Sequence, residues 1–176
     1  MKITLSTRYW AAIFLGLLLP FTVSQAAGLK DFEGNPGAIS NYTGNGKWLV
    51  VMIWASDCHI CNHEAHQYVD FHFAHSDDDA SVLGISIDGK AKKKDAEAFI
   101  KRHHVTFPNL IGEPLTVARM FYELTGSSWI GTPTFLIYDP KGELVAQQVG
   151  AVPTELIEDF IARSSRKAAQ AKTIQK

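Results

Sequence analysis

Cysteine is scarce: the chain of 176 residues has only Cys58 and Cys61. Two are too few to build a fold from disulfides, so any core has to come from apolar burial. Charge of one sign is scarce too. With 17 Lys and Arg against 18 Asp and Glu, no broad cationic field exists to gather phosphates, which argues against nucleic acid as a partner. Internal repeats, low-complexity tracts and a collagen-like period are all missing, which excludes disordered and fibrous classes. What is present, 46% hydrophobic and 20% charged residues, is the make-up of an ordinary globular protein.

The longest apolar run lies near the start. Lys2 and Arg8 form a positive region, Tyr9 to Val23 is almost uninterrupted in its hydrophobicity, and Ser24-Gln25-Ala26 offers small residues three and one before a cut. Residues 1–26 therefore read as a secretory signal, 27–163 as one domain and 164–176 as a fraying basic tail. The run falls short of the roughly 20 residues that span a bilayer, so a retained anchor is the lesser alternative and the only expected contact with a membrane. No cysteine follows it, which excludes a lipoprotein anchor there. Cleavage removes Lys2 and Arg8, leaving 15 basic and 18 acidic residues. A periplasmic location is the expectation. A cysteine pair kept where thiols are oxidised is either a disulfide or a redox device.

Trp48 to Trp54 is a continuous apolar run of strand length and reads as a buried strand. Cys58 to about His75 carries a helical pattern. At about 100° per residue, Ile60, Glu64, Tyr68 and Phe71 share one face, which should pack on the sheet, while His59, His63, His66 and Asp70 share another. Ser81 to Asp88 reads as a second strand. Asp95 to His104 is a helix with Ala96, Phe99 and Ile100 inward, and Pro114 opens another with a stripe of Val117, Ala118, Phe121 and Leu124, stopped by Gly126. Thr134 to Tyr138, then Asp139-Pro140-Lys141-Gly142, then Glu143 to Val149 spells a hairpin. Pro153 starts a last helix with Leu156, Ile157, Phe160 and Ile161 on one face. Parallel strands joined by helices and followed by an antiparallel hairpin imply an α/β domain, a mixed central sheet with helices on both faces.

Cys58-His59-Ile60-Cys61 sits where the buried strand gives way to the long helix. A bare CxxC fits half a zinc site, a structural bridge or coincidence; at the start of a helix after a core strand it is a thioredoxin-type redox candidate. A helix beginning at Cys58 aims unpaired N–H groups and the positive end of its dipole at that sulfur, favouring thiolate over thiol. Cys61, one turn on, is within reach to close a disulfide and release whatever Cys58 has attacked.

Trp54-Ala55-Ser56-Asp57-Cys58-His59-Ile60-Cys61 with Glu64, and later Gly131-Thr132-Pro133-Thr134-Phe135, resembles the TlpA-like branch of thioredoxin-fold proteins, which includes the ResA and CcmG/DsbE types. The likeness runs from about Asp31 to Ile161 and includes the segment after Asp88, similar to that branch's helical insertion. It implies a thioredoxin-like fold, a cis Pro133 beside the cysteines, and Thr132, Pro133, Trp54 and His59 as substrate-facing residues. It also implies a functional carboxyl at Glu64. Glu64 shares the inward face, where burial should raise its pKa toward the range useful for moving protons; a helix-start charge complementing the dipole is the plainer alternative.

Three positions depart from the pattern. Met52 stands where ordinary thioredoxins have a buried Asp, leaving Glu64 the only acid for that task. Asp57 replaces a usual Trp, and its charge should disfavour a Cys58 thiolate, whereas His59 inside the dithiol should favour one. The resemblance implies an exported thiol:disulfide oxidoreductase without bound cofactor, a monomer. It would reduce disulfides of exported proteins, apocytochrome c among them, with electrons from a membrane donor of DsbD or CcdA type. The rivals are an oxidase or isomerase of the same fold, and a copper- or zinc-binding metallochaperone-like module using the cysteines and the His stripe. Against the metal set, Cys61 and His63 point roughly 160° apart on a helix. His103-His104 reads as a dipole partner at a helix end, and Lys90 to Lys94 and Asp77 to Asp79 as solvated loops.

Overall fold

Seven consecutive apolar residues need cover on both sides, and Trp48–Trp54 is buried along its whole length. In the computed structural model, which describes residues 28–174, this strand is β2. It follows β1 (Lys30–Asp31) and a short 3-10 turn (Ile39–Asn41). Beyond it come α1 (His59–His75), β3 (Ala80–Ser86), α2 (Lys93–Arg102), β4 (Asn109–Ile111), α3 (Pro114–Thr125), β5 (Thr134–Tyr138), β6 (Leu144–Val149) and α4 (Thr154–Ile174). The expected signal, residues 1–26, lies outside the described residues.

The strands form a single mixed sheet in the order β1-β4-β3-β2-β5-β6. β2, β3 and β4 run parallel, while β1, β5 and β6 pair antiparallel with their neighbours. Alternation along β2 divides the core. Trp48, Val50, Met52 and Trp54 face α1, α2 and α4 through Cys61, Ala65, Tyr68, Phe71, Phe99 and Ile157, and Leu49, Val51 and Ile53 face α3 through Val117 and Phe121. Helices thus cover both faces. This is the thioredoxin-like α/β arrangement the sequence implies.

The elements end where local chemistry stops them. Gly126 caps α3 at a φ of 69°, a left-handed conformation that glycine adopts without a Cβ clash. Asp139 Oδ1 accepts from the N–H groups of Lys141 and Glu143 and closes the β5–β6 turn.

Four expectations need correction. The expected order of elements lacks β1 and β4, because two and three residues are too short to show a period. Leu124 and Leu156 are exposed rather than inward. Ile60 is 45% exposed: it lies in the first turn of α1, beyond the end of β2, and the buried line of the helix runs through Cys61, Glu64, Ala65, Tyr68 and Phe71. Finally, α4 does not stop with its apolar stripe at Arg163 but continues to Ile174. Its last turns are rich in Lys, Ala and Gln, good helix formers that need no packed face.

Candidate active site

The carboxyl ends of β2 and β3 come out side by side, with Trp54 paired to Ser86, and β5 begins at the same end of the sheet, with Thr134 opposite Ile53. Everything singled out for chemistry emerges there. From β2 the chain turns through Ala55 to Cys58, whose N–H donates to the Ala55 carbonyl at 3.2 Å. Cys58 is the N-cap of α1, and its sulfur accepts from the Cys61 N–H at 3.0 Å. The two cysteines are joined as a disulfide, Cα to Cα 5.2 Å, within the usual range for bridged cysteines. Cys58 is half-buried, whereas Cys61 is 0% exposed. No acidic residue occupies the first turn of α1, so nothing on that turn cancels the positive end of the helix.

The loop before the dithiol is held from two sides. Asn62, one residue past Cys61, donates its side-chain amide to the carbonyls of Ser56 and Cys58 at 3.0 and 2.8 Å. Its oxygen accepts from Arg102 at 2.7 Å and pairs with His103 at 2.9 Å, both near the end of α2. From beyond β3, buried Asp88 accepts from the Ser56 N–H at 2.9 Å, the Ser56 hydroxyl at 2.8 Å and the Ser86 hydroxyl at 2.8 Å. Asp57 is paired with Lys92 at 2.7 Å across solvent; that contact holds its carboxyl below the usual carboxylate range.

Sequence reasoning missed these partners. The sequence shows Asp88 as a strand end and Lys92 as one of several loop lysines, and each lies more than thirty residues from the loop residue it holds, Ser56 and Asp57. The signal for Asp88 was available: an acid closing a strand just before Gly89. Glu64 is thus not the sole acid near the dithiol.

Glu64 lies on the inward face, 8% exposed, one turn beyond Cys61. One carboxylate oxygen pairs with His63 Nδ1 at 3.0 Å and the other accepts from the Gln67 amide. Gln67 in turn accepts from the Thr154 N–H at 3.0 Å, tying α1 to the start of α4. Behind Glu64, Tyr68 is fully buried, stacks on Phe135 at 4.8 Å and donates its hydroxyl to the Val152 carbonyl. Burial, with the Glu64 charge nearby, pushes its phenol pKa up.

Thr132-Pro133 is a cis peptide. Pro133 is buried and Thr132 half-buried; the Pro133 carbonyl accepts from the Gly150 N–H at 2.9 Å, and Thr134 Oγ1 donates to the Gly131 carbonyl at 2.5 Å. His59 is exposed beside Cys58. Trp54 does not face a substrate: it is 1% exposed, stacked on Phe99 at 4.2 Å, and donates to Asn109 at 3.0 Å. α2 covers it. His59, His63 and His66 form an exposed polar edge, and among the described residues no group of three or more His, Cys, Asp or Glu is placed to hold a metal ion.

Fold and site together define a thioredoxin-like oxidoreductase with a CxxC disulfide at a helix N-terminus. The profile of the AhpC/TSA family matches residues 22–147, and the chain belongs to that family, with the TlpA-like thioredoxin fold. Several solved structures share the fold. StoA from Bacillus subtilis is 23% identical, with 76% of this chain and 94% of that one covered at a TM-score of 0.58. A thioredoxin-family thiol:disulfide interchange protein from Chlorobium tepidum is 18% identical, with 76% and 88% covered at 0.63. A secreted disulfide oxidoreductase of Mycobacterium tuberculosis, described as homologous to E. coli DsbE, is 19% identical, with 72% and 88% covered at 0.55. Among the described residues no helix is long and apolar enough to cross a membrane.

Proposed function

We propose that the chain is exported through residues 1–26 and reduces disulfides of other exported proteins, with apocytochrome c as one substrate. The observation that carries this reading is the asymmetry of the dithiol: Cys58 caps α1 and is half-exposed, while its partner Cys61 is shut in the core. In the reduced protein the Cys58 thiolate attacks one sulfur of a substrate disulfide. A Cys58–substrate disulfide forms and the other substrate sulfur leaves as thiolate. Cys61 then gives up its proton and attacks Cys58, releasing the second substrate thiolate and re-forming the bridge seen here. Two electrons pass to the substrate, and a membrane dithiol donor of DsbD or CcdA type restores them.

Glu64 is one turn from Cys61 on the same buried line, which suits it to take the Cys61 proton. Thr132 and Pro133 flank the start of β5 at the same sheet end, where an extended substrate segment can pair along the backbone; exposed His59 contributes to that surface. The secreted mycobacterial relative supports export. The exported chain acts as a monomer.

Two measurements test the reading. Cys61→Ser, expressed in the exporting cell, should accumulate mixed disulfides through Cys58, and recovery of no linked protein counts against the attack-and-resolve scheme. The wild type should reduce insulin and show a reduction potential near the thioredoxin value of about −270 mV; one near the DsbA value of about −120 mV would make it an oxidase.

A further inference from the structure

One stretch of chain reaches back to the dithiol loop at three successive points. Asp88 holds Ser56, Lys92 holds Asp57, and Arg102 with His103 holds Asn62, which itself holds the Ser56 and Cys58 carbonyls. The first and last of these fix shape. The second concerns charge: Asp57 directly precedes the attacking cysteine, and an unpaired carboxylate there opposes formation of a thiolate.

Lys92 is set to answer that charge. Its backbone is fixed at the start of α2, with its N–H on the Asp88 carbonyl at 3.3 Å and its own carbonyl accepting from Asp95 and Ala96 at 2.9 and 3.1 Å. Its Nζ lies 2.7 Å from Asp57 Oδ2. The other ionisable groups nearby are His59, next after Cys58 in the chain, Glu64 and His63 further along α1, and Asp88 and Asp95, which the ammonium also faces.

We propose that Lys92 is a positioning residue of the dithiol: by holding the Asp57 carboxylate it offsets the charge that otherwise disfavours a Cys58 thiolate. The inference rests on the dithiol-exchange reading. It also answers the opposition between Asp57 and His59 that sequence alone leaves open, because it takes Asp57 largely out of the balance. An exposed pair of this kind is weak as a stabilising contact and is screened by salt, so its signature is electrostatic rather than structural.

The test titrates the reduced full-length protein by the ultraviolet absorbance of its thiolate, for the wild type, Lys92→Met, Asp57→Asn, the double variant and Lys94→Met as a charge-matched control. Lys92→Met should raise the Cys58 pKa by about half a unit, about threefold in the thiol–thiolate equilibrium. It should leave the circular dichroism melt unchanged. The effect should fall below half its size in the Asp57→Asn background and at about 1 M salt, and Lys94→Met should titrate as wild type. A Lys92→Met protein that titrates as wild type overturns the proposal, as does a shift that is as large without Asp57. Insulin reduction by the wild type separates the two levels: its absence sinks the exchange reading, whereas its presence with an unmoved Lys92→Met titration sinks only this inference.

Discussion

At its first turn α1 carries no acidic residue and offers its Cys61 N–H to the Cys58 sulfur, whereas its last turn carries His72 and His75 and closes with Ser76 donating to the His72 carbonyl. The far end is built for stability. His75 lies between Asp79 at 2.8 Å and Glu158 at 3.4 Å and stacks on Phe71. Burial pulls its pKa down, but the hydrogen bonds to both carboxylates prevail and the net shift is upward. A cation there complements the negative helix end. At the near end no carboxylate of the first turn meets the positive helix end; the group placed there is the Cys58 sulfur. On the proposed exchange reading, the same helix field that stabilises the fold at one end favours the thiolate of the attacking cysteine at the other.

The largest expected effect breaks the near end outright. Cys58→Ser should abolish insulin reduction while leaving a folded protein, because no other thiol is exposed to attack. Next, Asp88→Ala removes a buried acceptor and strands the Ser56 N–H; it should lower unfolding free energy by about 1–3 kcal/mol in a urea melt and slow exchange as well. An exchange rate unchanged despite that loss would show that the loop tolerates a loose hold. Glu64→Gln should keep the fold and change the pH dependence of exchange rather than its maximum; an unchanged profile would reduce Glu64 to the tie between His63 and Gln67.

The smallest effect belongs to the far end. A raised folded pKa means that the contribution of His75 is fully present below the ordinary imidazole value of about 6.5 and is lost as pH rises through the higher folded value. His75→Gln should therefore cost about 0.5–1 kcal/mol in acid, where the imidazole is charged in both states, and progressively less above neutrality, with insulin reduction unchanged. A stability difference that grows with pH contradicts this assignment.

Much of this was legible in the sequence because it depends on local pattern. β2, the start of α1 at Cys58 and the β5–β6 hairpin follow from an apolar run, a period change and a turn sequence, and the inward Glu64 follows from the wheel. Ile60 defeated the wheel because helical phase says nothing about where the sheet beneath ends. Trp54 was taken for a substrate contact because the motif around it is reactive; its place at the end of β2, on the face that α2 covers, is a matter of topology. The pairings of Ser56, Asp57 and Asn62 were illegible for the same reason, although Asp88 itself, an acid closing a strand, was visible. Each joins residues brought together only once β3 lies beside β2 and α2 packs behind the dithiol.

The claim on which the rest depends is that the sulfur at the helix tip is the nucleophile and the buried one its resolver. Brief iodoacetamide labelling of the reduced protein at mildly acidic pH, with peptide mass spectrometry to locate the adduct, reads this directly. The expected result is carbamidomethylation of Cys58 with Cys61 protected; labelling of Cys61 first, or of both cysteines at the rate of an ordinary free thiol, would contradict it.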